Sequence, residues 1–226
     1  MRRSLLIFVV SIITLSAHAS ASPKAVFMGA QNQLDLEAIT IAPDNDKPAA
    51  VQLARLQTGG RNGDLDAQAR LGIMYYLGVG VPMDWNEAQA WFRKAAARGR
   101  PDAQLKLGVM CFMGQGTPRD LTESLMWFRK ASEQGETAAQ ACLGAMYAEG
   151  LGVSQDLVEA YAWLLQARSG GDAKTASICQ EIGSRLTPSQ IKDGIRRALE
   201  AVQIREKAMK PAGECHSLPL SLEKII

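Results

Sequence analysis

The 226-residue sequence has little histidine, few aromatic residues and almost no net charge. Its two histidines, His18 and His216, leave little material for a metal site or for Ser/His/Asp catalysis. A net charge of +2, from 25 basic and 23 acidic residues, argues against the basic surface that nucleic-acid binding requires. We therefore expect no metal, no cofactor and no nucleic-acid partner. Beyond the first residues, no apolar run is long enough to span a bilayer.

The one long apolar run has the features of a secretory signal peptide. Arg2 and Arg3 precede apolar residues 5–15, and residues 17–19 read Ala-His-Ala, a small-residue cleavage site. The run is shorter than the ~20 residues that span a bilayer. Cleavage after residues 1–19 would remove two basic residues and no acids, which leaves 23 of each. We expect a periplasmic or secreted protein.

A pattern with a period of 36 residues occurs three times in the middle of the chain. The repeated features are the pairs Leu71-Gly72, Leu107-Gly108 and Leu143-Gly144, the loop glycines Gly78/Gly80, Gly114/Gly116 and Gly150/Gly152, and the tryptophans Trp91, Trp127 and Trp163. A period in this range is typical of stacked helical units. Apolar spacing predicts a helix A that ends at the first loop glycine, followed by a helix B. The prediction is an all-α solenoid of stacked antiparallel helix pairs with helical caps.

Each helix A contains a glycine, although glycine costs about 1 kcal/mol relative to alanine inside a helix. These glycines are Gly72, Gly108 and Gly144. A cost that recurs three times indicates a close approach of helix B. The matching small residues of helix B are Ala88, Ser124 and Ala160. We expect the two helices to pack closely at these positions.

A pair of acids recurs at the start of each helix B. The pairs are Asp84 with Glu87, Asp120 with Glu123, and Asp156 with Glu159. Repeated carboxylates suggest metal binding or acid/base chemistry, but their spacing is also that of a capping box. In a capping box the first side chain caps the helix and the acid three residues later bonds back to the N-cap. We interpret all six residues as structural caps.

These motifs resemble the Sel1-like repeat, a relative of the tetratricopeptide repeat. The shared pattern reads Ala-Gln-x-x-Leu-Gly-x-x-Tyr, Gly-x-Gly-Val-x-x-Asp and Glu-Ala-x-x-Trp-Phe-x-Lys-Ala-Ala-x-x-Gly. It divides the middle of the chain into units 66–101, 102–137 and 138–171. The resemblance implies a scaffold that binds a protein or peptide, because helix A of such solenoids lines a concave groove. On this chain the groove would comprise Ala69, Ile73, Tyr76, Leu77, Leu105, Val109, Phe112, Met113, Ala145, Ala148 and Glu149.

The flanking segments are predicted from weaker patterns. Residues 20–48 form an arm and linker that we expect to be poorly ordered, and residues 49–65 a capping helix related to helix B. Residues 172–210 form C-terminal capping helices, the second of which starts at Thr187-Pro188-Ser-Gln. Residues 211–226 form a tail. The groove would bind a partner, unless the arm, the capping helix or the tail fills it or the chain dimerises through it.

The four cysteines occur in a chain that we expect to enter an oxidising compartment. Three pairings of Cys111, Cys142, Cys179 and Cys215 are possible. Cys142 and Cys179 lie 37 residues apart, almost level on successive A-type helices, and are a possible disulfide. Cys111 takes the place of a tyrosine in the other repeats, which favours a buried thiol.

The main hypothesis is a non-enzymatic adaptor in the cell envelope. The alternative is an envelope enzyme or accessory that acts on cell-wall material, similar to penicillin-binding proteins. Its testable residues are Ser189, Lys192 and His216, of which the first two match a Ser-x-x-Lys motif. That motif lies in a helix start already explained by capping. Self-assembly through the groove is a third possibility.

Overall fold

The structure is a computed structural model that describes residues 49–168 and 173–209. These ranges contain nine α-helices. The helices are α1 (Ala49–Arg61), α2 (Leu65–Leu77), α3 (Trp85–Ala97), α4 (Pro101–Met113), α5 (Leu121–Glu133), α6 (Thr137–Glu149), α7 (Leu157–Arg168), α8 (Ala173–Ser184) and α9 (Pro188–Met209). The predicted signal peptide, arm and tail lie outside the described residues, as do Cys215 and His216.

The helices pack as consecutive antiparallel pairs. Each helix from α1 to α7 contacts the next one along the chain, and both α8 and α9 pack against α7. The leucines of the repeat, Leu71, Leu107 and Leu143, are fully buried in this stack. Because every unit buries its apolar side against its neighbours, the core runs through the stack from one pair to the next. The predicted all-α solenoid is confirmed.

Helix α1 occupies the place of a helix B before the first unit. The side-chain amide of Gln68 donates to the Gly60 carbonyl at 2.9 Å, eight residues earlier in the chain. In the second unit, Gln104 donates in the same way to the Ala96 carbonyl at 3.1 Å. The glutamine of the Ala-Gln motif thus ties each helix A to the helix that precedes it, and α1 supplies that helix for α2.

Glycine ends each helix A with a left-handed turn. Gly78, Gly114 and Gly150 have φ angles of 70°, 73° and 70°. Alanine would be strained in this region, so glycine sets where helix A stops. The loop then folds back, and the N–H of Asp120 donates to the Cys111 carbonyl at 3.0 Å. The end of helix A and the start of helix B are therefore held together by the backbone.

The glycine inside helix A is approached closely by helix B, but by a larger side chain than predicted. A Cβ atom at Gly72 would lie 2.6 Å from the ring of Phe92, and one at Gly108 would lie 2.6 Å from the ring of Phe128. The small residue of helix B also contributes, since the Ser124 hydroxyl donates to the Gly108 carbonyl at 2.8 Å. The missing side chain therefore makes room for a buried aromatic ring.

The three described cysteines are buried thiols. The possible disulfide between Cys142 and Cys179 is not formed, and this part of the prediction is corrected. Cys142 lies on α6 and Cys179 on α8, and each of these helices packs against α7. Similar levels along successive helices do not by themselves bring two sulfur atoms into bonding distance.

Candidate functional site: the groove face of the A helices

We call the set of residues predicted to line the groove the groove face. It lies on α2, α4 and α6, and most of it is buried. The buried members are Ala69, Tyr76, Leu105, Val109, Phe112, Ala145 and Ala148. Ile73, Leu77 and Met113 are half-buried, and Glu149 is exposed. The expectation of an exposed apolar stripe is therefore wrong for seven of the eleven residues, because a helical pattern shows which side chains share a face and not what covers them.

Aromatic rings and cations meet on the groove face of the first two units. The Tyr76 hydroxyl donates to the side-chain carbonyl of Gln115 at 3.1 Å, which joins α2 to the loop of the next unit. The Lys106 ammonium lies 4.5 Å from the centroid of the Tyr76 ring, and the Arg119 guanidinium lies 4.9 Å from that of Phe112. Such cation–π contacts stabilise a charge beside an apolar surface. Tyr76, Phe112 and Lys106 are buried, whereas Arg119 is exposed and is the cation that a partner could reach here.

The repeated aspartates act as N-caps of the B helices. Asp84, Asp120 and Asp156 each accept hydrogen bonds from two backbone N–H groups of the first helical turn, at 2.9 to 3.1 Å. Asp64 caps α2 in the same way. These carboxylates satisfy helix donors that would otherwise lack partners. This arrangement needs no metal.

The glutamates of the same motif differ from the predicted capping box. Glu123 accepts from the indole N–H of Trp127 at 3.1 Å and pairs with Arg93 of the preceding B helix. Glu159 accepts from the Trp163 indole at 2.9 Å and pairs with Arg197 of α9, also at 2.9 Å. In a capping box the glutamate would accept from the backbone N–H of the N-cap aspartate. That N–H already donates to a carbonyl of helix A, as Asp120 does to Cys111, so the glutamate side chain instead links neighbouring units.

Removing one cap is expected to lower stability only. Asp120→Ala should reduce the free energy of unfolding by roughly 0.5–2 kcal/mol, since two backbone N–H groups lose their acceptor. Urea denaturation followed by circular dichroism measures the change. Asp120→Asn, which keeps an accepting side-chain oxygen, is the control and should stay close to wild type. A bound metal ion that is lost in Asp120→Ala would contradict the capping role.

The ion pairs between units predict a loss of stability in acid. The hydrogen bond from Arg93 holds the pKa of Glu123 below its usual value of 4.5. A carboxylate with a lowered folded-state pKa stabilises the fold above the unfolded pKa, and this contribution is lost as the pH falls through the folded pKa. The free energy of unfolding should therefore decline below about pH 4.5, and less steeply in Glu123→Gln. Equal slopes for the two proteins would contradict this.

The described residues offer little of the machinery that the alternative hypothesis of an envelope enzyme requires. Ser189 and Lys192 are exposed in the first turn of α9, where Thr187 and Gln190 form a reciprocal cap. Burial raises the pKa of the Cys111 thiol to about 12 and that of Cys179 to about 11, which disfavours the reactive thiolate. Within the described ranges no group of three or more potential metal ligands occurs.

Two further properties bear on the class of protein. In the part of the chain that the structure describes, none of the helices is both long and apolar enough to cross a bilayer. The stacked helix pairs with a continuous face on their A helices define a helical-repeat scaffold of the α-solenoid class.

A family model described as the Sel1 repeat matches residues 65–99, 101–136 and 137–172. The chain belongs to the Sel1-like repeat family. Sel1 repeat proteins are generally protein-interaction scaffolds, and most members are non-catalytic although some are enzymes.

Two solved structures are similar to this chain. A Sel1 repeat protein from Oxalobacter formigenes shares 36% sequence identity with a TM-score of 0.54, over 57% of this chain and 98% of that one. A protective antigen of uropathogenic Escherichia coli strains, which displays an SLR fold, shares 30% identity with a TM-score of 0.62. That match covers 74% of this chain and 37% of the antigen, so this chain spans well under half of its length. No curated protein matches the chain.

Proposed function

We propose that this protein is a non-enzymatic adaptor of the cell envelope that binds a protein or peptide along the groove face of α2, α4 and α6. Residues 1–19 would direct its export to the periplasm or the cell exterior. The observation that carries the proposal is the group of half-buried apolar side chains Ile73, Leu77 and Met113, near which the exposed Arg119 guanidinium lies over the Phe112 ring. Apolar side chains beside a cation form a surface suited to a polypeptide that combines apolar and acidic side chains.

The accessible part of the face is where binding would begin. Ile73, Leu77 and Met113 are half-buried, and they lie at the same end of their helices as the rings of Tyr76 and Phe112. Large apolar side chains at such positions provide affinity when a partner buries them. An extended segment or an amphipathic helix would fit a face of this kind.

The test is capture of a partner from cell-envelope extract. Ile73→Glu with Met113→Glu places charges on the accessible part of the face, and the expected result is loss of a stoichiometric partner that wild type retains. Substitutions at Tyr76 and Phe112 are less suitable because both rings are buried. Truncating a buried aromatic ring costs about 3–5 kcal/mol, which would confuse unfolding with lost binding.

The matched control is Met126→Glu on α5. Met126 is 42% exposed and lies outside the groove face, so this variant should capture the partner as wild type does. Circular dichroism establishes that all variants remain folded. Equal capture by the groove variant and by the control would show that the partner does not bind at the groove face. Capture of the chain's own copies, with a concentration-dependent mass in light scattering, would replace adaptor function by self-association.

A further inference from the structure

Accessible side chains concentrate where each helix A ends and the loop returns to helix B. Two positions of every unit lie at this edge, the last residue of helix A and the residue before the N-cap of helix B. We call these residues the loop edge: Leu77 and Met83 in the first unit, Met113 and Arg119 in the second, and Glu149 and Gln155 in the third. All of them are half-buried or exposed, in contrast to most of the groove face.

The residue before the N-cap lies against the end of helix A in every unit. The Arg119 guanidinium lies 4.9 Å from the centroid of the Phe112 ring, and the Gln155 amide donates to the Ala148 carbonyl at 2.7 Å. Phe112 and Ala148 occupy the same place in the repeat. In the first unit Met83 lies beside the glycine that ends helix A. The loop edge is therefore one structural feature that occurs three times.

The chemistry of the loop edge changes from unit to unit. The first unit is apolar, and Met83 is 62% exposed with Val79 beside it at 53%. The second unit adds the exposed guanidinium of Arg119, and the third the exposed carboxylate of Glu149. Neither charge forms an ion pair with another residue that the structure describes. An edge that runs from apolar to positive to negative is complementary to a segment that runs from apolar to negative to positive.

The distance between neighbouring units sets the spacing of the partner's side chains. Consecutive A helices pack side by side, since Val109 of α4 and Ala145 of α6 lie in one core cluster. The hydrogen bond from Tyr76 to Gln115 joins the first unit to the second in the same way. Packed helices have axes about 8–10 Å apart, and an extended chain advances about 3.3 Å per residue. Successive contacts of an extended segment therefore fall about three residues apart.

We propose that the loop edge binds an extended polypeptide segment in which an apolar residue, an acid and a base follow one another at intervals of about three residues. The apolar residue contacts Met83, the acid pairs with Arg119 and the base pairs with Glu149. An extended segment suits this row because a helix needs a broad apolar groove, and most of the groove face is already buried. The inference rests on the proposed function and adds to it the order of the partner's side chains.

Selection from a phage-displayed library of random dodecapeptides, on the full chain without its predicted signal peptide, tests this order. Retained peptides are expected to carry an apolar residue, an acid and a base about three residues apart. Arg119→Glu should exchange the selected acid for a base, and Glu149→Lys should exchange the selected base for an acid. Lys94→Glu is the matched control, because Lys94 is exposed on α3 and away from the loop edge, and it should select the same peptides as wild type.

Binding of one selected peptide measures the charged contact directly. Fluorescence anisotropy should show about fivefold weaker binding to Arg119→Glu, since an exposed ion pair is replaced by two like charges. The same peptide with its acid changed to lysine should recover that loss. Both charge reversals alter exposed side chains, so circular dichroism should stay as in wild type.

Three results would overturn the inference. The first is a selected charge pattern that stays the same in both reversal variants. The second is a spacing of about seven residues, which is two helical turns and indicates a bound helix. The third is a library from which wild type retains no peptide. Partner capture by wild type, lost in Ile73→Glu with Met113→Glu, would in each case leave the proposed function standing without this inference.

Discussion

Replacing Gly108 by alanine is expected to destabilise the protein by about 2 kcal/mol, although alanine is the better helix former. The new Cβ would lie 2.6 Å from two carbon atoms of the Phe128 ring. That ring is fully buried, so it has no free space into which it can move. Overpacking of this kind costs about 1–3 kcal/mol, and two such contacts place it at the upper end. The gain in helix propensity offsets only about 1 kcal/mol.

Chemical denaturation of Gly108→Ala, Phe128→Leu and the double variant measures this contact. Leucine is smaller than phenylalanine, so it should relieve the overlap. The double variant should then lose less stability than the sum of the two single variants. Additive losses would show that the ring is not what excludes a side chain at Gly108. A stabilised Gly108→Ala would show that helix propensity alone decides at this position.

Replacing Gly152 by alanine is expected to cost about 3 kcal/mol, against about 1 kcal/mol for Gly80. The two glycines are equivalent in the repeat and have φ angles of 71° and 73°. In both variants an alanine must adopt the left-handed conformation, which lowers the free energy of unfolding by about 1–2 kcal/mol. Only Gly152 faces the preceding unit, where its Cβ would lie 2.7 Å from the Leu121 carbonyl oxygen. A Cβ at Gly80 would meet only the end of the Met74 side chain, at 3.4 Å.

The comparison of these two variants isolates the contact between units. Backbone atoms cannot rotate away as a side chain can, so the overlap at Gly152 must separate the loop from α5. Gly116→Ala provides a second case, because its Cβ would lie 2.7 Å from the Trp85 carbonyl oxygen. It should behave like Gly152→Ala in urea denaturation. Equal losses at all three glycines would mean that backbone conformation, rather than stacking of units, requires glycine in these loops.

The fold was predictable because a few residue types mark every boundary of the repeat. A glycine such as Gly78 ends helix A, and an aspartate such as Asp84 begins helix B, each for a backbone reason that does not depend on distant contacts. The 36-residue spacing then gives the order of the helices. Stacking follows because a single pair cannot bury its own apolar side.

The site was less predictable because burial depends on contacts that helical spacing does not contain. Spacing placed Tyr76 and Phe112 on one face, but it could not show that the face is covered. In the same way, a repeated Glu123 reads as half of a capping box until the N–H of Asp120 is seen to bond elsewhere. One available signal was the charge of Lys106. A lysine among apolar neighbours in a helix either extends its ammonium to water or places it beside a ring or an acid.

The most direct test of the groove face is a hydrogen-exchange footprint of the protein alone and bound to its captured partner. The account predicts slower exchange on α2 and α4, at the turns that carry Ile73 and Met113. Helices α3 and α5 should exchange as before. Protection confined to α3 and α5, with α2 and α4 unchanged, would contradict the account and place the binding surface on the B helices.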